Sequence, residues 1–444
     1  MKITVVGSGA REAAIVEKLY QDLKLQSAGN FQIFALPGNP GMEKHATCVP
    51  DIKVDDIGTI VDFASKKDID LVVVGPEGPL GAGLVDALEQ VGIPAFGPTQ
   101  KQAQLEMSKV VMREIAEEFG IPIAPGHICE NLSEALAILT EMSLPVVVKP
   151  DGPTAGKGVK ICHTLEEAAN HIKAVMKENI YASTGDTGKR IILEEKLEGR
   201  EASFTIVVCG NKYVELATSE DHKQRFDGDQ GDMTGGMGAY SPSPLADAWH
   251  DVIIKTIVEP LIRGINKRFG NYQGVLYIAL MITKDGPKVL EVNCRLGDPE
   301  TQVILYRLKT PLLPLLYDVA RGHIRDDYHM EWMSDFSLGL TLVSKGYPGD
   351  YTKGQIITGI ERVENCPEST PESPIIVYQA GTAMKNGQLV VNGGRVMTVV
   401  GLGEDLTQAN LKTRSAANRM WFNEMDHRND VGLRPNNPEL MPQK

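Results

Sequence analysis

The chain has 444 residues, 42% hydrophobic and 23% charged, the composition of an ordinary globular protein long enough for two to four domains. Its net charge of −13 argues against a nucleic-acid partner, since affinity for a polyanion comes from clustered Lys and Arg, but it leaves room for a small anionic ligand on a local cation cluster. Six scattered cysteines without a C-x-x-C pair argue against a zinc ribbon or disulfide framework, and no apolar run is long enough for a bilayer span, so a cytoplasmic protein with free thiols is expected.

In chain order, ITVV is a short strand ending at Gly7, and REAAIVEKLYQDL has helical spacing. FQIFAL, IDLVVVG and IPAFGP supply further strands, with helical GLVDALEQVG between the last two. Strands alternating with helices predict a parallel, Rossmann-like sheet whose ligands gather at the C-terminal strand ends, where GSGARE, LPGNPGM and GPEGPL fall. KVVMREIAEEFG reads as a helix stopped by Gly120 and Pro122. LPVVVKP, RIILEE, EASFTIVVCG and KYVELATS follow as strands, and residues 220–241 read as a long polar loop. VLYIALMIT and PKVLEVNCR are expected to form a hairpin around Lys284, Asp285 and Gly286. LGLTLVS, IIVYQAGT and RVMTVVGLG make a strand-rich tail that ends in a helix and a polar terminus.

Gly7-Ser8-Gly9 after the first strand invites a dinucleotide reading, but Glu12 stands where a third glycine belongs and the second strand ends in Leu36-Pro37-Gly38 without an acid for a ribose. What remains is either a helix N-terminus with Arg11 in its first turn, suited to a phosphate, or a tight turn that only packs helix on strand. KPDGPTAGKGVK is not a Walker loop, because Lys157 is followed by Gly158 instead of Ser or Thr. Lys149 ends an apolar strand, a costly place for a cation unless it meets an anion, and Gly152, Gly156, Gly158 and Lys157 fit a loop closing over a polyphosphate. In LEVNCRLGDPETQ the two-residue period of a strand puts Glu291, Asn293 and Arg295 on one face. A carboxylate, an amide oxygen and a guanidinium together suit Mg²⁺ and phosphates; the plainer alternative is a solvated face with an ion pair. His222, in the long loop, is a lone histidine and is assigned no catalytic role.

The ordered series GSGARE, LPGNPGM, VVGPEGPL, FGPTQKQAQLEMSK, VVVKPDGPTAGKGV, EEKLEGREASF, ATSEDHKQRFDGDQGDMTGGMGAYSPSP, EVNCRLGDPETQ and AGTAMKNGQLVVNGGRV resembles the phosphoribosylamine–glycine ligases, ATP-grasp enzymes of purine biosynthesis. The resemblance spans nearly the whole chain. It implies a mixed α/β and α+β protein: a Rossmann-like domain over 1–108, a two-part ATP-grasp domain over 109–325 with a mobile lid near 125–195, and a β-rich domain over 326–444. It implies that Lys109, Lys149 and the loop of Gly152, Gly156, Lys157 and Gly158 hold ATP phosphates. Glu194, Glu195 and Leu197 would lie on a strand beside the adenine, read by its backbone, with Glu201 at the ribose. Glu291 and Asn293 would ligate Mg²⁺, with Mn²⁺ as an alternative metal. Gly9, Arg11, Glu12 and Glu77 would face the ribose phosphate. Asp221, Lys223, Arg225, Thr234, Gly235, Gly236, Arg295 and Asp298 would line the glycine and phosphoribosylamine sites, with Arg295, Asp298 and Lys223 as the catalytic set. The implied partners are small molecules only, with no nucleic acid and no membrane, on a monomer or weak dimer. The chain departs from the family pattern at Ala13, Asp232, Met233 and Gln379, all around the acceptor. The rival readings are a related ATP-grasp ligase for another small carboxylate and amine, a non-catalytic nucleotide sensor, and a nicotinamide oxidoreductase.

Overall fold

The computed structural model describes residues 1–26, 30–153, 158–181, 187–434 and 437–442. The alternating N-terminal segments form a five-stranded parallel sheet in the order Thr47–Cys48, Gln32–Pro37, Lys2–Gly7, Leu71–Val74, Ala95–Phe96. Its strands are apolar on both faces because both faces are covered. Ile3, Val5, Leu71 and Val73 pack on helix Ala10–Gln26, and Val6, Val72 and Val74 pack on helices Ile57–Lys67 and Leu84–Gln90. Helices Glu300–Arg307 and Leu313–Ala320, far along the chain, join the first of these two cores and tie the middle of the protein to its N-terminus.

Ser108 caps helix Lys109–Phe119 by accepting from the Val111 N–H, and Gly120 ends it with a φ of 67°. Beyond it lie two antiparallel sheets. One has the order Gly126–Cys129, Ile191–Glu195, Val146–Pro150, Lys160–Cys162, with helices Leu132–Leu139 and Leu165–Met176 sharing its core. The other has the order Lys212–Glu215, Arg200–Cys209, Gln273–Thr283, Gly286–Asn293; its last two strands are the hairpin expected around Lys284 and Asp285.

The region read as a loop, 220–241, is largely strand. Glu220–Asp221 and Gly238–Ser241 pair with each other and then with Phe336–Ser344, extending the C-terminal sheet through Arg395–Gly403 and Ile376–Gln379. Between them Gln224–Phe226 and Gln230–Met233 form a small hairpin. Gly, Ser and Asp have low strand propensity, so here a partner a hundred residues away overrides the local preference. Among the described residues no helix is long and apolar enough to cross a membrane, and all six cysteines are unpaired.

Candidate active site

Each sheet delivers its functional groups at a strand end or at a turn that follows one. Lys149, near the end of strand Val146–Pro150, places its Nζ 2.5 Å from the Glu194 carboxylate and 3.3 Å from the Leu290 carbonyl. Glu194 also meets Arg113 at 3.1 Å, so one buried carboxylate serves two cations. Lys109 opens its helix and donates to the Gly152 carbonyl at 2.8 Å. Burial lowers the pKa of Lys109, while Glu291 and Asp151 oppose that shift. Gly152 has φ +106°, and a Cβ there would lie 2.5 Å from the Thr187 hydroxyl oxygen, so only glycine fits this turn. Gly158 is buried just beyond the loop. Gly156 and Lys157 lie outside the described residues.

Strand Ile191–Glu195 is paired on both sides, and the Glu195 N–H donates to the Pro125 carbonyl. Leu197, expected on this strand, instead lies past its end in the connector 196–199, because the sheet partners stop at Glu195. The connector leads into strand Arg200–Cys209, where Glu201 pairs with Met281. Burial raises the Glu201 pKa, with Lys223 and Arg434 pulling it down and Asp221 pushing it up.

Glu291 and Asn293 pair with Ala279 and Tyr277, two residues apart on the neighbouring strand, as alternation requires. Arg295 does not share that face as a strand residue, because the strand ends at Asn293. Its guanidinium turns to Glu106 at 3.1 Å and Glu77 at 3.4 Å. Among the described residues no three His, Cys, Asp or Glu side chains gather at metal-ligating spacing, and no hydrogen bond or ion pair engages the Glu291 or Asn293 side chain. Two hard oxygen donors with the remaining positions left to phosphates and water are what Mg²⁺ takes from proteins, so this pair fits the ion.

The N-terminal turn holds a carboxylate of its own. Glu12 accepts the Gly9 N–H at 2.7 Å and pairs with Arg11 at 2.6 Å, while Arg11 also donates to the Leu296 carbonyl. The Glu12 side chain fills the space beside Gly7 and Gly75, where a Cβ would come within 2.4 and 2.1 Å of it. The Gly9 amide is therefore already engaged, and Arg11 is buried between protein partners. Glu77, at a helix start, keeps its carboxyl below the usual range: burial pushes it up, but Arg295 and Arg11 outweigh burial.

Asp298 pairs with Arg395, whose guanidinium lies 2.9 Å from its carboxylate and also donates to the Gly235 carbonyl at 2.5 Å. Burial pushes the Asp298 pKa up, yet Arg395 and Arg11 hold it below the usual range. Gly236 has φ +114°, and a Cβ on it would sit 2.3 Å from the Pro299 ring. Thr234 holds the carbonyl of Lys223 through its N–H and its hydroxyl, both at 2.8 Å. Lys223 lies 2.7 Å from the Asp221 carboxylate, and its pKa stands well above the usual value: burial lowers it, but Asp221, Tyr277 and Glu201 overcome burial. Arg225 is turned away, toward the Asp426 carboxylate at 2.7 Å and the Tyr347 carbonyl at 2.9 Å.

Three residues without an assigned role in the sequence reading join this cluster. Glu106 accepts the Cys294 N–H at 2.7 Å, and burial pushes its carboxyl up to about 7. Glu300 accepts from the Tyr277 hydroxyl at 2.7 Å, and Arg395 pairs with Asp298 as described. A signal existed for Glu106, which stands three residues before Lys109 beside the capping Ser108. Of the departures, Ala13 is a core residue, Asp232 and Met233 lie on the small hairpin, and Gln379 accepts from the Thr382 hydroxyl at 2.9 Å.

The phosphoribosylglycinamide synthetase N domain, ATP-grasp (A) domain and C domain families match residues 1–106, 107–301 and 337–434. A phosphoribosylamine–glycine ligase of Vibrio parahaemolyticus is 41% identical over 438 residues, 98% of each chain. One from Pseudomonas aeruginosa is 39% identical over 438 residues, again 98% of each. The crystal structure of phosphoribosylamine–glycine ligase from Thermotoga maritima aligns with a TM-score of 0.79 at 28% identity, covering 97% of this chain and 100% of that one. A biotin carboxylase from Campylobacter jejuni shares the fold alone, with a TM-score of 0.74 at 14% identity over 97% of this chain and 94% of that one. The chain belongs to the phosphoribosylglycinamide synthetase, or phosphoribosylamine–glycine ligase, family.

Proposed function

We propose that this chain uses ATP to join glycine to 5-phosphoribosylamine, giving glycinamide ribonucleotide, ADP and phosphate in de novo purine biosynthesis. The observation that carries the assignment of residues is the electrostatic linkage of the candidate groups: Glu291 acts on Lys109, Arg295 and Glu201, Glu201 acts on Lys223, Arg295 acts on Asp298, and Lys149 pairs with the buried Glu194. ATP lies between the two antiparallel sheets, its phosphates on Lys109 and Lys149 and its adenine edge against the peptide groups of 196–199. Glu201 meets the ribose hydroxyls. Glu291 and Asn293 would hold Mg²⁺, or Mn²⁺ in its place, and the ion would offset charge on the transferring phosphoryl group.

A glycine carboxylate oxygen attacks the γ-phosphorus, and the bond to the bridging oxygen breaks to release ADP. The amine of phosphoribosylamine then attacks the acyl carbon of glycyl phosphate, phosphate leaves, and the nitrogen gives up a proton. No protein nucleophile is needed, so the chain contributes position, charge and exclusion of water. Arg295 grips the carboxylate end and Asp298, kept ionised by Arg395 and Arg11, accepts from an amine. Lys223 stays protonated beside Asp221 and serves as a fixed cation, not as a base. Arg11, Glu12 and Glu77 shape the ribose-phosphate end. The protein acts on small molecules as a monomer or weak dimer in the cytoplasm, a compartment whose reducing conditions suit its six unpaired thiols.

The test follows ADP release from purified protein given ATP, Mg²⁺, glycine and freshly generated phosphoribosylamine. ADP formation should require both glycine and phosphoribosylamine; formation with either one omitted overturns the substrate assignment.

A further inference from the structure

The hairpin between Lys223 and Thr234 has few contacts of its own within a sheet, yet it is fixed at both ends by the C-terminal segment. At its tip, Asp229 sits at φ 54°, an unusual conformation for a side-chain-bearing residue, and points its carboxylate outward to two arginines. Arg434 takes it with two donors, at 2.8 and 3.0 Å, while its third group donates to the Asp221 carbonyl at 3.1 Å. Arg428, whose side chain is fully buried, takes the same carboxylate at 2.9 Å and is itself clamped by Asp430. Arg434 thus spans the tip of the hairpin and the strand that precedes Lys223.

Resting on the function proposed above, we propose that Arg434 is a positioning residue for the ligation reaction: by bridging Asp229 to the Asp221 main chain it sets where the Lys223 ammonium stands relative to Asp221 and Glu201. Three features distinguish this from general tail docking. The bridge needs a planar fork, which Arg supplies and Lys does not. It ends on the peptide group two residues from Lys223, whose own carbonyl is held by Thr234. The Arg434 charge also reaches Glu201, the carboxyl on the facing strand. Arg428 shares the Asp229 carboxylate and donates to the Gln224 carbonyl on the hairpin itself, but its remaining bonds go to Asp430, whereas Arg434 is the one that reaches back to the Glu220–Asp221 strand.

The experiment measures KM and kcat for each substrate, and ADP affinity, in wild type, Arg434→Gln and Arg434→Lys. Wild-type turnover tests the proposed function itself; only the variants test this inference. Arg434→Gln should raise KM for glycine and phosphoribosylamine at least tenfold and lower kcat, with ADP affinity within twofold of wild type. Arg434→Lys keeps the charge but loses the fork; it should show the same split at threefold or more. If Arg434→Lys leaves both KM values within twofold, or if all activity loss follows the folded fraction, Arg434 only docks the tail and the inference is wrong.

Discussion

Glu106 offers a sharp test of the site's electrostatics. Its carboxyl is buried against the Cys294 N–H and the Arg295 guanidinium, and burial outweighs that cation, so its pKa rises from the usual 4.5 to about 7. A carboxyl raised in the folded chain keeps its proton where the unfolded chain has lost it. Stability therefore falls as pH climbs from about 4.5 through about 7, and at about 1.36 kcal/mol per pH unit the total is about 3 kcal/mol. Glu106→Gln mimics the protonated form and removes that slope. Because several domains need not unfold together, the readout is hydrogen exchange in Gln104–Met107, Lys109–Phe119 and Gly286–Asn293, corrected for intrinsic rates, between pH 5 and pH 8. The two proteins should match near pH 5. By pH 8 the wild type should open up to about 100-fold more often than the variant, the equivalent of about 3 kcal/mol. A difference that stays flat, or that favours the wild type at high pH, would show that Arg295 holds Glu106 ionised and that the burial argument is wrong.

Glu194→Gln leaves Lys149 and Arg113 without their shared buried anion, so it should cost about 3 kcal/mol, lower the melting temperature and raise KM for ATP; an unchanged melting curve counts against the pairing. Glu291→Gln should cut turnover about 100-fold at ordinary Mg²⁺ concentrations, the scale of losing a charge-stabilising group, with an unchanged circular dichroism spectrum; near-normal rates would sink the metal role. Gly236→Ala forces a Cβ to within 2.3 Å of Pro299 at φ +114° and should cost about 1–3 kcal/mol, lowering kcat/KM for glycine more than for ATP; equal losses would place the damage in the fold rather than the acceptor side.

What the sequence made legible follows from the range over which each feature is decided. The N-terminal parallel sheet, the helix of Lys109–Phe119 and the hairpin around Lys284 are set by local period, capping and turn chemistry, and their residues are readable without partners. Glu291 and Asn293 share a face for the same reason. Arg295 escapes that logic because the strand stops two residues earlier, and no local pattern marks the stop. Residues 220–241 look like a loop because their strand partner is Phe336–Ser344. Arg225 has the type and neighbours of a substrate group, yet its guanidinium is claimed by Asp426, 201 residues away. The same holds for Arg395 with Asp298, 97 residues apart, and for Arg434 with Asp229, 205 apart. A motif reveals which charges a reaction needs. Which of those charges face the substrate depends on which are already neutralised, and the neutralising partner arrives only when distant strands close into one sheet. Glu12 shows the limit most plainly: it stands where a dinucleotide-binding turn has glycine, and only the fold reveals that its own carboxylate takes the amide a phosphate would use.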